Sequence, residues 1–350
     1  MLFLGAGASR AFNLPDLNEI TGIIMKNISQ CKSYDKIIKL KNILDQEYNN
    51  TVKSNNGVDI EILLTVLNII NSEDHTVITN PFRLLFQNLN KNEIGKLDVN
   101  EFNEFKDKVA TTFIENLKIN SKNKKLVDKI TNSYNELLNI SMLPTDIFSI
   151  IVTTNYDNTI EVFAENTTTD KFKDYLKFRG FESYYGGVSR FYIHQNPGMG
   201  IRFLKLHGSL DWWVNESQTE ITLNESGESY GKNLGKRLMI YPIQDKYISE
   251  FPFYYTYDSF KNMLKKEKIV VVIGYSFRDE SINNAFWNRL FTETNKRDEF
   301  KILVCTKSNE VKHRVRRILK DEKKFSFLEY NFGEEHFIKE LSQNLNTLTD

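Results

Sequence analysis

The segment Phe148–Glu161, FSIIVTTNYDNTIE, constrains the fold more than any other stretch of this chain. It begins with β-branched and aromatic residues, which predict a strand buried on both faces. The strand stops at a polar cluster, Thr153 to Asp157, before a short helical pattern begins. Because ligands bind outside the carboxyl ends of strands in an open parallel sheet, this cluster is a candidate site. An ordinary strand-to-helix turn with a capping Thr or Asp is the alternative.

Three further predicted strand ends carry glycine or compact polar groups. The stretch Leu2–Ser9, LFLGAGAS, is a strand that runs into a glycine-rich turn. The stretch Phe203–Trp213, FLKLHGSLDWW, places His207 directly after an apolar strand. The stretch Ile269–Asp279, IVVVIGYSFRD, ends another β-branched run in a turn of small residues. Together the four ends predict a nucleotide crevice built on a doubly wound parallel sheet.

Composition narrows the class of protein. The chain has 350 residues, of which 40% are hydrophobic and 26% charged, so it can bury a substantial core. Lys+Arg and Asp+Glu both number 46, which leaves no overall basic footprint for nucleic acid. Cys31 and Cys305 cannot form a disulfide framework or a cysteine-based zinc site within one chain. With no signal-peptide pattern and no apolar run near the ~20 residues of a membrane span, we expect a cytoplasmic protein without metal.

Periodicity divides the chain into three parts. Residues 1–16 hold the first strand and glycine-rich turn, and residues 145–350 show strands alternating with short helices, which favours a parallel sheet. Residues 17–144 read as a helical insertion after the first strand, for which a lid, an oligomer surface and cover for the sheet are open alternatives. Later strands are predicted at Leu238–Tyr241, Ile269–Ile273, Ile302–Cys305 and Phe325–Tyr330. Later helices are predicted near Ser259–Lys265, Glu280–Phe291, Glu310–Leu319 and Glu334–Leu345.

The motifs GAGAS, TTNYD, LHGS and GYS occur in this order, with helices inserted after the first. In this combination the chain resembles the sirtuin-like NAD-binding domains of bacterial anti-phage defence NADases, of the short stand-alone type found in HerA-associated or related systems. The motifs run from Gly5 to Asp279, and we expect the resemblance to extend to the final helix, so that it covers nearly the whole sequence. One such motif by itself would not be specific. The resemblance implies an α/β, Rossmann-like parallel sheet with a large helical insertion, and NAD as the substrate.

The resemblance assigns two residues to catalysis. Asn155 matches the asparagine that lies beside the nicotinamide ribose and holds a water molecule. His207 matches the histidine that contacts the same ribose and serves as general base. Asp157 matches the neighbouring acid that supports the nicotinamide pocket. An amide and an imidazole suit a reaction in which cationic character grows at the anomeric carbon.

The resemblance also assigns dinucleotide binding to several turns. The stretch Gly5 to Ser9 matches the phosphate-binding turn, where missing side chains let backbone N–H groups approach the pyrophosphate. Pro15 and Asp16 match the motif that follows, whereas Leu17 and Asn18 stand where protein-deacylating sirtuins have Phe and Arg. The residues expected to bind the dinucleotide are Gly5, Ala6, Gly7, Ala8, Ser9, Pro15, Asp16, Thr154, Asp157, Gly274, Tyr275 and Ser276.

The activity implied by the resemblance is that of an NAD+ glycohydrolase, which cleaves the nicotinamide–ribose bond to give nicotinamide and ADP-ribose. Domains of this kind deplete NAD in infected cells, which is an abortive-infection defence. The four-cysteine zinc ribbon of deacylating sirtuins cannot be built from two cysteines, so water is the expected acceptor. A protein deacylase or ADP-ribosyltransferase on the same fold, and a non-catalytic module that binds NAD or ADP-ribose, are the alternatives. A pure binder would not need both Asn155 and His207.

Control of the activity is expected to come from assembly. An enzyme that destroys NAD must be silent in a healthy cell, and the 350 residues hold no obvious second ligand domain after the predicted sheet. We therefore expect a homo-oligomer, or a separate activating partner such as a HerA-like ATPase or a phage-sensing protein. The helical insertion is the candidate contact surface. Direct nucleic acid binding and membrane association are not expected.

Overall fold

The computed structural model describes residues 1–52, 57–71, 97–140, 150–168, 182–183, 189–190, 202–214, 221–223, 236–239, 252–291 and 300–349. These residues divide into two compact units. The first unit comprises the described residues within Met1–Leu14, Leu117–Ile240 and Tyr247–Asp350, and the second comprises those within Pro15–Asn116. Apart from Pro15 and Asp16, the predicted site residues all belong to the first unit.

The strands that the structure describes lie in the first unit. In chain order they are β1 (Leu2–Leu4), β2 (Ile150–Thr153), β3 (Glu182–Ser183), β4 (Ser189–Arg190), β5 (Arg202–Lys205), β6 (Gly208–Val214), β7 (Ile221–Leu223), β8 (Lys236–Met239), β9 (Ile269–Ile273), β10 (Lys301–Cys305) and β11 (Phe325–Leu328). The helices in chain order are α1 (Ala6–Ser9), α2 (Leu17–Asn27), α3 (Tyr34–Val52), α4 (Ile60–Asn71), α5 (Val99–Leu117), α6 (Lys124–Asn139), α7 (Thr159–Asn166), α8 (Phe253–Leu264), α9 (Glu280–Phe291), α10 (Asn309–Leu319) and α11 (Phe337–Thr349).

Six strands form a parallel sheet in the order β11-β10-β9-β1-β2-β5, so the fold is α/β and Rossmann-like, as the sequence predicts. Strand β1 lies between β2 and β9, with Leu4 opposite Thr153 on one side and Ile273 on the other. Strand β5 pairs with β2 in a register that puts Lys205 opposite Thr153. The four strand ends singled out by their glycine and polar residues are therefore consecutive in the sheet.

The strands at the centre of this sheet consist of apolar residues because both of their faces are covered. Strand β9, IVVVI, is buried at its last four positions, and all of β1 is buried. The ring of Phe3 in β1 packs against Phe260 of α8 and Phe286 of α9, with centroids 5.8 and 5.4 Å apart. Helices α8 and α9 thus cover one face of the sheet next to the ends of β1 and β9.

A second sheet in the first unit has five strands in the order β3-β4-β7-β6-β8, with antiparallel pairing. The strand predicted at Leu238–Tyr241 corresponds to β8, and it pairs with β6 in this sheet and not in the parallel one. A short apolar run predicts a strand but not its partner, which is why the sequence placed it in the alternating pattern of the parallel sheet.

The second unit contains α2, α3, α4 and most of α5, and no strand among its described residues. Helix α6, which the sequence placed in the same insertion, packs on α7 in the first unit. Residues 53–56, 72–96 and 141–144 of the predicted insertion lie outside the described residues, so its extent from 17 to 144 stays a prediction. Within the described ranges, no helix combines the length and the apolar character that a membrane crossing needs.

Candidate active site

The turns after β1 and β9 pack against each other through their backbones. The N–H of Gly7 donates to the carbonyl of Gly274 across 2.8 Å. A Cβ added to Gly5 would lie 2.5 Å from the Cα of Tyr275, and one added to Gly7 would lie 2.8 Å from the Cα of the Gly274 residue. Gly274 has φ of +67°, and a Cβ there would lie 2.1 Å from the nitrogen of Ala8. The three glycines are therefore required by turn-to-turn packing.

This packing bears on the predicted phosphate-binding turn, Gly5 to Ser9. The N–H of Gly5 donates to the carbonyl of Ile273, and the N–H of Ala8 donates to the carbonyl of Gly5, both at 2.9 Å. Ala6 is the exposed residue of the turn. Contact between this turn and the pyrophosphate of a dinucleotide stays a prediction, whereas the need for glycine already follows from the fold.

Asn155 follows β2 and is held by the turn after β1. Its Nδ2 donates to the carbonyl of Gly5 at 3.0 Å and to Oγ of Ser9 at 2.9 Å. Because a carbonyl can only accept a hydrogen bond, the contact with Gly5 establishes which end of the amide is nitrogen. The other end, Oδ1 of Asn155, is buried and has no hydrogen-bond partner among the described residues.

Asp157 completes this hydrogen-bonded cluster. Its Oδ2 accepts from Oγ of Ser9 at 2.7 Å. Its Oδ1 accepts from the backbone N–H of Thr159 at 3.0 Å and from the hydroxyl of the same residue at 2.6 Å, at the start of α7. The carboxylate thereby complements the positive end of that helix and orients Ser9, which in turn accepts from Asn155. Its predicted role at a nicotinamide pocket stays a prediction.

Beneath the cluster lies a buried lysine that the sequence analysis missed. Lys205 is fully buried, and its Nζ donates to the carbonyls of Tyr156 and Asp157, to Oε1 of Glu161 and to Oγ of Ser209, at 3.3, 2.6, 2.9 and 2.9 Å. These contacts tie the loop after β2 to the end of β5. The signal was present in the sequence, because a lysine inside the apolar run FLKL is almost never fully buried unless it is paired.

His207 lies at the end of β5, and 4% of its surface is exposed. Its Nε2 is 3.0 Å from Oδ2 of Asp279, and the hydroxyl of Tyr257 in α8 donates to the same oxygen at 3.2 Å. The other oxygen, Oδ1 of Asp279, accepts from the backbone N–H groups of Ser281 and Ile282 at 3.0 and 3.2 Å. Asp279 therefore caps α9, as a residue at this position is expected to do, and also contacts His207, which the sequence did not reveal.

The ionisation of Tyr257 is shifted by this environment. Burial, followed by the negative charge of Asp279 and the hydrogen bond to it, raises the pKa of the Tyr257 hydroxyl well above its usual value. A tyrosine hydroxyl is protonated at neutral pH even at its ordinary pKa, and here it donates to Asp279.

The two predicted catalytic residues lie at the same edge of the sheet. Thr153 of β2 stands opposite Lys205 of β5, and Asn155 and His207 each follow two positions later. The ring of Tyr156, next to the asparagine, has its centroid 6.2 Å from that of the histidine ring. The structure thus brings an amide and an imidazole to neighbouring strand ends, beside the turns after β1 and β9.

Three other residues of the first unit that were predicted to bind the dinucleotide have different surroundings. Tyr275 is buried against Phe3, with ring centroids 5.0 Å apart, so its side chain belongs to the core. Ser276 is half-buried, and its carbonyl accepts a hydrogen bond from Arg314. Thr154 is half-buried at the end of β2. Binding of a dinucleotide by these residues stays a prediction.

Pro15 and Asp16 belong to the second unit. Asp16 is the N-cap of α2, where its side chain accepts from the N–H groups of Asn18 and Glu19 and its own N–H donates to the side chain of Glu19. This capping box accounts for an aspartate at this position. A role for Pro15 and Asp16 at the dinucleotide stays a prediction. Within the described residues, no group of three or more His, Cys, Asp or Glu is placed to hold a metal ion.

Comparison with known proteins agrees with this arrangement. The family model described as SIR2-like domain matches residues 149–328, a little over half of the chain. The matched part contains Asn155, Asp157, His207 and Asp279, and the turn after β1 packs against it. No curated protein matches the chain. SIR2-like domains bind NAD, and NAD-related activity is compatible with the match. On this match, the chain belongs to the family of SIR2-like domains.

Proposed function

We propose that this SIR2-like protein is an NAD+ glycohydrolase, which uses water to cleave the bond between nicotinamide and ribose. The observation that supports this function most is the hydrogen bonding of the Asn155 side chain. Its Nδ2 is committed to Gly5 and Ser9, and its buried Oδ1 has no hydrogen-bond partner among the described residues.

An unsatisfied buried amide oxygen indicates a place for a small donor. Burying such an atom without a hydrogen bond costs about 1–3 kcal/mol. A water molecule or a substrate hydroxyl that donates to Oδ1 of Asn155 would remove this cost. Because Nδ2 is held by two acceptors, the amide cannot turn to present its nitrogen instead. Asn155 is therefore suited to orient an attacking water.

The chemistry requires one acceptor for a proton. The bond between the anomeric carbon and the nicotinamide nitrogen breaks, a bond from the water oxygen to that carbon forms, and one proton leaves the water. His207 is the candidate base, since it lies at the neighbouring strand end and its ring contacts a carboxylate that would stabilise the imidazolium. The products are nicotinamide, ADP-ribose and a proton. General-base catalysis of this kind contributes about 10²–10⁴-fold.

The test is nicotinamide release from the purified chain and NAD+, with no peptide present, with and without a candidate activating partner. Asn155→Ala and His207→Ala should each lower the rate by ~10²-fold or more. Asn103→Ala and His313→Ala make the same changes at exposed helical positions and should leave the rate unchanged.

Three results would contradict the proposal. Nicotinamide release that requires an acylated or other acceptor protein would indicate a deacylase or ADP-ribosyltransferase. NAD binding without turnover under every condition would indicate a binding module. Rates near wild type for Asn155→Ala or His207→Ala would mean that the reacting atoms lie elsewhere.

In the cell, this activity would serve anti-phage defence by depleting NAD in infected cells. The support for this role is the resemblance of the motifs to bacterial defence NADases, together with membership of the SIR2-like family. Activation would depend on assembly, through a homo-oligomer or a partner such as a HerA-like ATPase or a phage sensor. Mass measurement of the chain alone and with the product of a neighbouring gene tests this, and a strict, fully active monomer would contradict it.

A further inference from the structure

We infer that Asp279 is a positioning residue for His207, a role that rests on the proposed function. Asp279 holds the imidazole with a proton on Nε2, so that Nδ1 carries the lone pair that accepts a proton from the attacking water. No motif of the sequence analysis pointed to this pairing, because 72 residues separate the two side chains in the chain.

The two oxygens of Asp279 have separate tasks. Oδ1 accepts from the N–H groups of Ser281 and Ile282, which anchors the carboxylate on the first turn of α9. Oδ2 is consequently held toward His207 and the hydroxyl of Tyr257. A helix cap needs only one acceptor, and Ser, Thr or Asn provides it as well as Asp does. The second oxygen is not used by the cap, and it contacts the imidazole and the hydroxyl of Tyr257.

The contact selects one tautomer of His207. Both oxygens of Asp279 accept hydrogen bonds, Oδ1 from two backbone N–H groups and Oδ2 from the hydroxyl of Tyr257, as expected of an ionised carboxylate. The same hydroxyl is 3.4 Å from Nε2 of His207, but its one proton is donated to Oδ2 of Asp279, which is closer. A lone pair on Nε2 would therefore face that oxygen at 3.0 Å with no proton between them. A proton on Nε2 turns this repulsion into a charge-assisted hydrogen bond. In the neutral ring the lone pair is then on Nδ1.

This tautomer determines how the proton moves. As the water oxygen bonds to the anomeric carbon, its proton passes to Nδ1 of His207, and the ring becomes an imidazolium. The Nε2–H group stays directed at Asp279, which remains ionised and stabilises the positive charge. The imidazolium then releases its proton from Nδ1 to solvent. The same division of labour between aspartate and histidine operates in the serine protease triad.

The variant that tests the role is Asp279→Asn. It keeps one oxygen for the cap of α9 and directs an N–H donor at Nε2 of His207, which favours the opposite tautomer. In the serine protease triad the corresponding change lowers kcat about 10⁴-fold. Here we expect kcat to fall ~10²-fold or more, with KM within about threefold of wild type and an unchanged melting temperature. The control is Asp98→Asn at the exposed cap before α5, which should leave kcat unchanged.

A second measurement does not depend on NAD cleavage. Nitrogen-15 NMR of the imidazole side chains in the ligand-free protein distinguishes protonated from unprotonated ring nitrogens. The chain has five histidines, and the signals of His207 are those lost in His207→Gln. We expect the Nε2–H tautomer in the wild type and the Nδ1–H tautomer in Asp279→Asn.

The outcomes separate this inference from the proposed function. An Nδ1–H tautomer in the wild type, or full kcat for Asp279→Asn in an enzyme that is otherwise active, would overturn the role of Asp279. A wild type that cleaves no NAD, either alone or with an activating partner, would overturn the proposed function. The tautomer of His207 in the wild type would still show whether Asp279 holds the ring as inferred. If Asp279→Asn fails to fold, the nitrogen-15 spectrum of the wild type alone still tests the role of Asp279.

Discussion

The Asn155 end and the His207 end of the candidate site are held by different means. Asn155 is a neutral amide, fixed by a backbone carbonyl and by Ser9, with Asp157 one hydrogen bond further away. His207 contacts the carboxylate of Asp279 directly. The first arrangement leaves a buried acceptor for a ligand, and the second places a charge beside a ring that gains a proton. A group that orients water needs a rigid neutral dipole, whereas a base needs stabilisation of its charged form.

Both ends depend on the same backbone packing, so the largest effect is expected at Gly274. In Gly274→Ala the new Cβ would meet the nitrogen of Ala8 at 2.1 Å, and φ of +67° is strained for alanine. The ends of β1 and β9 cannot move apart to relieve this clash, since the two strands are paired inside the sheet. We expect a loss of about 3 kcal/mol or more in the free energy of unfolding, measured by denaturant titration.

The control for this change is Gly22→Ala. Gly22 lies at an exposed position in α2, where an added Cβ meets nothing within 4 Å. Alanine should stabilise that helix by about 0.5–1 kcal/mol. If Gly274→Ala unfolds like the wild type, the glycines have another purpose, and contact with a phosphate becomes the better account of them.

The next effect is expected from Lys205→Met, which affects both ends through the loop after β2 and the end of β5. Methionine fills much of the space but leaves the carboxylate of Glu161 buried without its partner. We expect a loss of about 3 kcal/mol in the free energy of unfolding, the low end for a broken buried pair, because the methionine keeps most of the packing.

Two controls show whether the charge is responsible. Adding Glu161→Gln to Lys205→Met should recover part of the stability, because it removes the buried charge. Lys36→Met breaks the pair with Glu101, in which the lysine side chain is 42% exposed, and should change stability far less than Lys205→Met does, because solvent screens an exposed pair. Equal losses for Lys205→Met and Lys36→Met would contradict the structural role assigned to the buried pair.

The smallest effects are expected on kcat, from one variant at the Asn155 end of the site and one at the His207 end. Ser9→Ala removes one of the two acceptors of Asn155 and the donor to Asp157, so we expect kcat for NAD cleavage to fall about tenfold. Tyr257→Phe removes one donor to Asp279 but keeps the contact of that residue with His207, so we expect a fall of about threefold. A larger fall for Tyr257→Phe than for Ser9→Ala would reverse this comparison and assign the hydroxyl of Tyr257 a part in the reaction.

Local patterns in the sequence predicted the elements around the site well. Strand β9 was predicted at Ile269–Ile273 and helix α9 at Glu280–Phe291, and both are seen with these bounds. Strand β9 is a short uninterrupted run of β-branched residues, and α9 repeats its apolar residues at helical spacing. Both patterns can be read from the local stretch alone. Pairing between strands depends on residues that are distant in the sequence. For this reason β8 was recognised as a strand but not as a member of the antiparallel sheet.

By itself the sequence determined which residue types stand at the strand ends: glycine after β1 and β9, an amide after β2 and an imidazole after β5. Only the tertiary structure decided which atoms meet there. Ser9 bonds to Asp157 across 148 residues, and His207 contacts Asp279 across 72. The physical reason is that strand composition depends on local burial, whereas contacts between strand ends depend on the order β9-β1-β2-β5 in the sheet, which no stretch of sequence contains.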